Sequence, residues 1–238
     1  MIYFIVAYLW SCCIEPITFF VLRPFIRLDS QQNGFNFVNK VLGIKYEITG
    51  EKLLDEGFIL PNHRSFTDFL FDYYVSYGTM VSRWLVIIVI PFNILISYLD
   101  NRIIFINRGK DKRDVVYQRC VSHINRYQNK RIVFYPEGTR NTYTSLSSHE
   151  ELKSYIKFGL LKSIYEDKRY PVQLLISNNK ELAFNEKTLT ANYGVIIHTK
   201  ISKAIHPKDY ATEVDFFDEI VKVWFDCYVE THSHDKLQ

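Results

Sequence analysis

The chain has 238 residues, 47% of them apolar, which is enough for one domain with a sizeable core. A net charge of +3 is too small to indicate a nucleic-acid partner, and it is compatible with anionic substrates or an anionic membrane surface. The four cysteines show no CxxC spacing and no disulfide framework, which suits a reducing compartment for the globular part.

Residues Ile2 to Leu22 are almost continuously apolar, broken by Ser11, Glu15, Pro16 and Thr18. A run of about 20 such residues spans a bilayer as a helix. No basic segment precedes it and no small-residue cleavage site follows, so it does not read as a signal peptide. Glu15-Pro16 weakens a simple span: an acid at the bilayer centre costs about 2.5–3.5 kcal/mol, and Pro removes a helix hydrogen bond. A bent pair of half-helices in one leaflet is the alternative. Arg23 and Arg27 follow the run, so the positive-inside bias places the rest of the chain on the cytoplasmic side. The aromatic share of 16% also suits work at an interface, although the composition is equally that of a chain rich in Ile, Asn and Lys. These features predict a membrane anchor over 1–28, a linker over 29–43 and a globular domain over 44–238. Cys12 and Cys13, inside the apolar run, are open to palmitoylation.

Ile44 to Ile48 alternates and ends at Gly50, which predicts a strand. Phe58 to Leu60 predicts a second strand, and Phe69 to Tyr77 a helix. Between them lies Asn62-His63-Arg64-Ser65-Phe66-Thr67-Asp68. On one continuous helix, positions five apart are roughly 140° apart, so His63 meets Asp68 only from a turn that precedes the helix. In that geometry the carboxylate would fix the tautomer of an imidazole able to take a proton from a hydroxyl. The same letters also fit a helix-capping box, Ser65-x-x-Asp68, with His63 an ordinary turn residue. The two readings are compatible.

Trp84 to Leu99 is a second apolar run, interrupted by Pro91 and Asn93. It reads either as buried core or as a segment pressed into the membrane. Arg102 to Arg108 predicts a short strand. Asp111 to Gln128 predicts an amphipathic helix with Val115, Val116, Cys120 and Ile124 on one side. Arg131 to Tyr135 predicts a strand running into Pro136-Glu137-Gly138-Thr139-Arg140. Glu150 to Asp167 predicts one helix, Tyr170 to Ile176 and Tyr193 to Ile201 two further strands. Phe217, Ile220, Val221, Trp224 and Tyr228 predict one face of a closing helix.

Asn-His-(four residues)-Asp at Asn62 to Asp68, together with the aromatic-Pro-Glu-Gly-Thr-Arg stretch from Tyr135 to Arg140, resembles the glycerolipid acyltransferases. The best known of these are the 1-acylglycerol-3-phosphate acyltransferases. Lys157-Phe158-Gly159 and the Pro171-Val172 strand resemble further motifs of that family, and the likeness covers roughly residues 45–205. There are departures. Tyr135 replaces the commoner Phe, Pro91-Phe92-Asn93 lacks a usual glycine, and Leu174-Leu175 stands where a second proline is common.

The resemblance implies that His63 is the general base and Asp68 its orienting partner. It places Arg108, Glu137, Gly138, Thr139 and Arg140 around the phosphate and glycerol of an acceptor lipid. The residue types suit this. A guanidinium fork matches phosphate oxygens, Gly138 lets backbone approach a ligand, and Glu137 can orient a donor or bond a substrate hydroxyl. Alone, Arg108 reads as a solvated strand end and the Tyr135–Arg140 stretch as a polar turn with an internal Glu–Arg pair.

The expected fold is α/β, a single mixed sheet flanked by helices with an N-terminal membrane-attached helical segment. The expected reaction is transfer of a fatty acyl chain from acyl-CoA to the free hydroxyl of a lysophospholipid, with lysophosphatidic acid giving phosphatidic acid as the default. Acceptors such as lysocardiolipin or lysophosphatidylinositol, or a membrane lipid-binding module without catalysis, are the alternatives. A hydrolase using Ser65 finds no Gly-x-Ser-x-Gly elbow. No cofactor is expected beyond acyl-CoA as co-substrate. The expected partners are the two substrates and membrane lipids, at the endoplasmic reticulum if the source is eukaryotic.

Overall fold

The computed structural model describes residues 39–65, 67–86, 97–107, 109–140, 146–185, 188 and 190–233. The anchor expected over 1–28, most of the linker and the middle of the apolar run at 84–99 lie outside the described residues. Among the described residues, no helix is long and apolar enough to cross a membrane.

Seven strands form the main sheet: β1 (Lys45–Gly50), β2 (Glu56–Pro61), β3 (Thr79–Arg83), β4 (Ile103–Ile106), β5 (Lys130–Val133), β6 (Val172–Ser177) and β9 (Ile196–Ile201). Their order is β1-β9-β6-β2-β5-β3-β4. All neighbours are parallel except β6 and β9, so five adjacent strands, β6 to β4, end on the same edge. A second, two-stranded sheet pairs β7 (Phe184–Asn185) with β8 (Thr190–Ala191), which corrects the expectation of one sheet.

The helices are α1 (Asp68–Ser76), α2 (Arg113–Arg126), α3 (His149–Tyr155), α4 (Gly159–Asp167), α5 (Lys180–Ala183) and α6 (Glu213–Ser233). Strands buried on both faces read as apolar runs, and that is the composition of β2 and β6. Phe58, Leu60, Val172, Leu174 and Ile176 point into the larger core with α2, α4 and α6. Ile59, Val133 and Leu175 point the other way, toward Tyr73 and Val75 of α1.

Three expectations need correction, and one strand was not expected. The helix expected over Glu150 to Asp167 is two helices, α3 and α4. Ile156 adopts an extended conformation between them, and Lys157 N–H donates to the Pro136 carbonyl at 2.9 Å, so the break docks onto the Pro-Glu-Gly-Thr-Arg loop. Both helices share one apolar face, with Leu152, Ile156, Leu161 and Ile164 buried, so periodicity runs through the break unmarked. Val115 lies on the exposed side of α2; the buried face is Val116, Tyr117, Cys120 and Ile124. Strand β3, Thr-Met-Val-Ser-Arg, carries too little apolar alternation to be read. The tail of the expected linker, residues 39–43, is already folded: it is helical to residue 41, with Asn39 and Leu42 buried.

Gly57 sits in the central strand with φ +138°, where an added Cβ would lie 2.6 Å from the Pro171 carbonyl oxygen. Both the dihedral and the contact exclude a side chain. Gly57→Ala is expected to destabilise the fold by about 1–3 kcal/mol, read from denaturant midpoints by circular dichroism. A wild-type midpoint would mean that β2 shifts freely between its neighbours.

Candidate active site

Strand β2 delivers its last residue, Pro61, to the carboxyl edge of the parallel sheet, between β5 and β6. Crevices at this edge are the usual ligand sites of open α/β sheets. The turn from Asn62 to Thr67 then reverses the chain into α1. Asn62, fully buried, fixes the turn to the neighbouring strand. Its Nδ2 donates to the Ser177 carbonyl at 2.8 Å, and Ser177 N–H donates to its Oδ1 at 2.9 Å.

His63 then stands before the helix and Asp68 in its first turn, as the spacing requires. His63 Nδ1 lies 3.1 Å from Asp68 Oδ2. The same carboxylate oxygen accepts the N–H groups of Arg64 and of Ser65, the latter at 2.9 Å. An ionised carboxylate accepts only, so in a neutral imidazole held this way Nδ1 carries the proton and Nε2 the lone pair. The Asp68 side chain is fully buried, while the imidazole is partly exposed at 21%. The free nitrogen therefore belongs to the accessible part of the pair. An anion in the first turn of α1 is also favoured by the helix dipole.

The capping reading is half realised. Asp68 reaches back to Ser65 N–H, as the last residue of a capping box does, but the Ser65 hydroxyl does not cap. It sits 3.0 Å from Thr67 Oγ1 and accepts from Thr67 N–H at 3.3 Å. Thr67 holds the N-cap position without a side-chain cap bond. Buried and engaged in this way, Ser65 is not placed as a nucleophile.

The loop after β5 closes over the turn. Glu137, fully buried, accepts the backbone N–H of His63. It thus fixes the chain that carries His63, a role not read from the sequence. Tyr135 stacks on the imidazole with ring centroids 4.3 Å apart and planes at 21°. Gly138 takes φ +67° in a turn closed by its N–H to the Tyr135 carbonyl at 3.0 Å. Its need is therefore the left-handed turn. Thr139 and Arg140 follow it, exposed at the rim. Arg108 lies outside the described residues.

Beneath the pair is a polar cluster that sequence reasoning missed. Asp72 lies one turn after Asp68 on α1 and is 1% exposed; Lys180, at the start of α5, is fully buried. Lys180 Nζ reaches Asp72 Oδ1 and Oδ2 at 3.1 and 3.0 Å, the Asn62 carbonyl at 2.5 Å and Asp68 Oδ2 at 3.8 Å. Tyr135 O–H donates to Asp72 Oδ2 at 2.8 Å. Burial pushes the Asp72 carboxyl up to about 7, against the pull of the Lys180 ammonium and with the push of Asp68. Burial pulls Lys180 down, but Asp68 and Asp72 outweigh it and hold the ammonium above its ordinary range. Burial, with Asp72 and Asp68 nearby, keeps Tyr135 well above the usual phenol range. Beside them, buried Arg64 pairs with Glu181, the neighbour of Lys180. The only sequence signal was a polar run, Asn178-Asn179-Lys180, directly after a strand buried along its whole length.

Two cysteines are described, Cys120 and Cys227. Both are buried, and burial pushes their thiols up to about 12 and about 11, so neither is a ready thiolate.

The fold is shared with the crystal structure of the 1-acyl-sn-glycerophosphate (LPA) acyltransferase, PlsC, from Thermotoga maritima. The two match with a TM-score of 0.66 at 15% identity, over 98% of this chain and 95% of that one. No curated protein matches by sequence. The model of the family described as Acyltransferase matches residues 45–166, slightly more than half of the chain. That span holds both the His63–Asp68 turn and the Tyr135–Arg140 loop. By this match the chain belongs to the Acyltransferase family.

Proposed function

We propose that the protein transfers a fatty acyl chain from acyl-CoA to the free hydroxyl of a lysophospholipid at a membrane, with lysophosphatidic acid as acceptor and phosphatidic acid as product. The observation that carries this is the 3.1 Å contact between His63 Nδ1 and Asp68 Oδ2, which leaves Nε2 as an unprotonated base on a partly exposed ring.

The chemistry follows from that nitrogen. Nε2 takes the proton of the lipid hydroxyl as its oxygen attacks the thioester carbonyl carbon. Asp68 favours the imidazolium that forms. The tetrahedral adduct collapses, the carbon–sulfur bond breaks, and the imidazolium returns its proton to the departing thiolate. One C–O bond replaces one C–S bond, and the base is regenerated. No protein nucleophile enters, in keeping with the engaged hydroxyl of Ser65 and the buried thiols. Thr139 and Arg140, exposed on the loop whose Glu137 holds the His63 backbone, supply a hydroxyl and a guanidinium for the acceptor's phosphate. Membrane attachment through residues 1–28, with the domain on the cytoplasmic side, is the companion proposal. It is supported by the apolar run and the arginines that follow it.

Membranes carrying the recombinant protein, given labelled oleoyl-CoA and a panel of lysophospholipids, test the reading. Wild type is expected to acylate lysophosphatidic acid. His63→Ala should lose about 10³-fold or more, since a positioned base contributes about 10²–10⁴. Transfer to lysocardiolipin or lysophosphatidylinositol alone would reassign the acceptor. Label released as free fatty acid would make the protein a hydrolase, and binding without turnover would make it a lipid-binding module.

Arg140→Ala is expected to raise the Michaelis constant for lysophosphatidic acid about tenfold, with kcat little changed, because a charge-assisted hydrogen bond is worth about 1.5–3 kcal/mol. An unchanged constant would move the phosphate site away from this loop.

A further inference from the structure

His63 is held at two places. Asp68 holds its edge through Nδ1, and Tyr135 holds its face through the 4.3 Å stack. Each holder leads to the same atom. Asp68 Oδ2 lies 3.8 Å from Lys180 Nζ. Tyr135 donates to Asp72, whose two oxygens lie 3.1 and 3.0 Å from that ammonium. Lys180 Nζ also reaches the Asn62 carbonyl at 2.5 Å, the residue directly before His63.

We propose that Lys180 is a positioning residue for the His63–Asp68 pair: one buried ammonium ties together the carboxylate at the edge of the imidazole and the aromatic ring on its face. The proposal rests on the reading of His63 as the general base.

The charge balance explains why a cation is needed there. Asp68 and Asp72 are four apart on α1 and so lie on one face, both essentially without solvent. Two buried carboxylates so placed do not both stay ionised without a counter-charge. Without the ammonium the two carboxylates repel each other, and Asp68 Oδ2 is the atom that holds His63 Nδ1. Among the described residues, the titratable groups around the imidazole are Asp68 and Asp72 from α1, Tyr135 and Glu137 from the loop after β5, and Lys180 from α5, with the Arg64–Glu181 pair beside them. Lys180 is the cation among them that touches both aspartates of α1. Its own placement depends on Asn179, which takes φ +60° between the end of β6 and α5 and turns Lys180 inward. Asn tolerates that conformation better than most residues.

The test combines rates with a signal that does not depend on turnover. A Nδ1–H bonded to a carboxylate gives a far-downfield proton resonance. In the full chain it is assigned to His63 by its absence in His63→Ala. Lys180→Met keeps the length of the side chain and removes the charge. It is expected to lower kcat about 10²-fold, the scale of a misplaced catalytic group, and to erase or broaden the resonance. Adding Asp72→Asn to Lys180→Met leaves Asp68 as the sole carboxylate of the pair. The double variant should recover about tenfold in kcat and regain the resonance. Tyr135→Phe keeps the stack and cuts the tie to Asp72, with an expected loss of a few-fold. A defect of packing alone would be worsened by the second change. The proposal is overturned if folded Lys180→Met keeps the wild-type resonance, or if the double variant fares worse than the single one. Should wild type transfer no acyl group, the assigned reaction fails, while the resonance still decides whether Lys180 holds the pair.

Discussion

One carboxylate oxygen organises the site. Asp68 Oδ2 gathers His63 Nδ1 and the N–H groups of Arg64 and Ser65. The same contacts that shape the turn between β2 and α1 thus set the tautomer of the imidazole. The turn and the placement of the imidazole are one structure. A change that frees the backbone also frees the proton, because both depend on the same carboxylate oxygen and on the same buried charge. That charge is tolerated because the first turn of α1 and the ammonium of Lys180 face it.

The sheet supplies the rigidity. Strand β2 is central, buried along Gly57 to Pro61, and paired on both sides with parallel neighbours. Each neighbour sends two supports to the turn. From β5 come Tyr135 and Glu137, one on the face of the imidazole and one on the His63 backbone. From β6 come Ser177, which clamps Asn62, and Lys180. Three strand ends converge on one histidine, and Thr139 and Arg140, on the loop after β5, remain exposed at the rim.

Much of this was legible in the sequence because it is local. The separation of His63 and Asp68 restricts them to a turn followed by a helix, and that is their arrangement. The apolar runs of β2 and β6 and the face of α6 announced themselves by burial pattern. What stayed hidden depends on contacts between distant residues. Asp72 meets Lys180 across 108 positions and Tyr135 across 63. No local pattern distinguishes a lysine after Asn178-Asn179 from a solvated one. The break between α3 and α4 was hidden for a related reason: its cause is Pro136, twenty residues away, and the apolar face continues across it. The hydroxyl of Tyr135, a departure from the phenylalanine common in the family, was visible as a letter but had no partner until the fold supplied Asp72.

The measurement that bears most directly on this account is kcat for Asp68→Asn beside wild type, with circular dichroism confirming the fold. The amide is nearly the same shape, but it cannot hold Nδ1–H as the carboxylate does. A loss of about 10⁴-fold is expected, as for an orienting aspartate replaced in a Ser-His-Asp triad. Near-normal turnover would reduce Asp68 to a cap on the turn, and the base would have to be sought elsewhere.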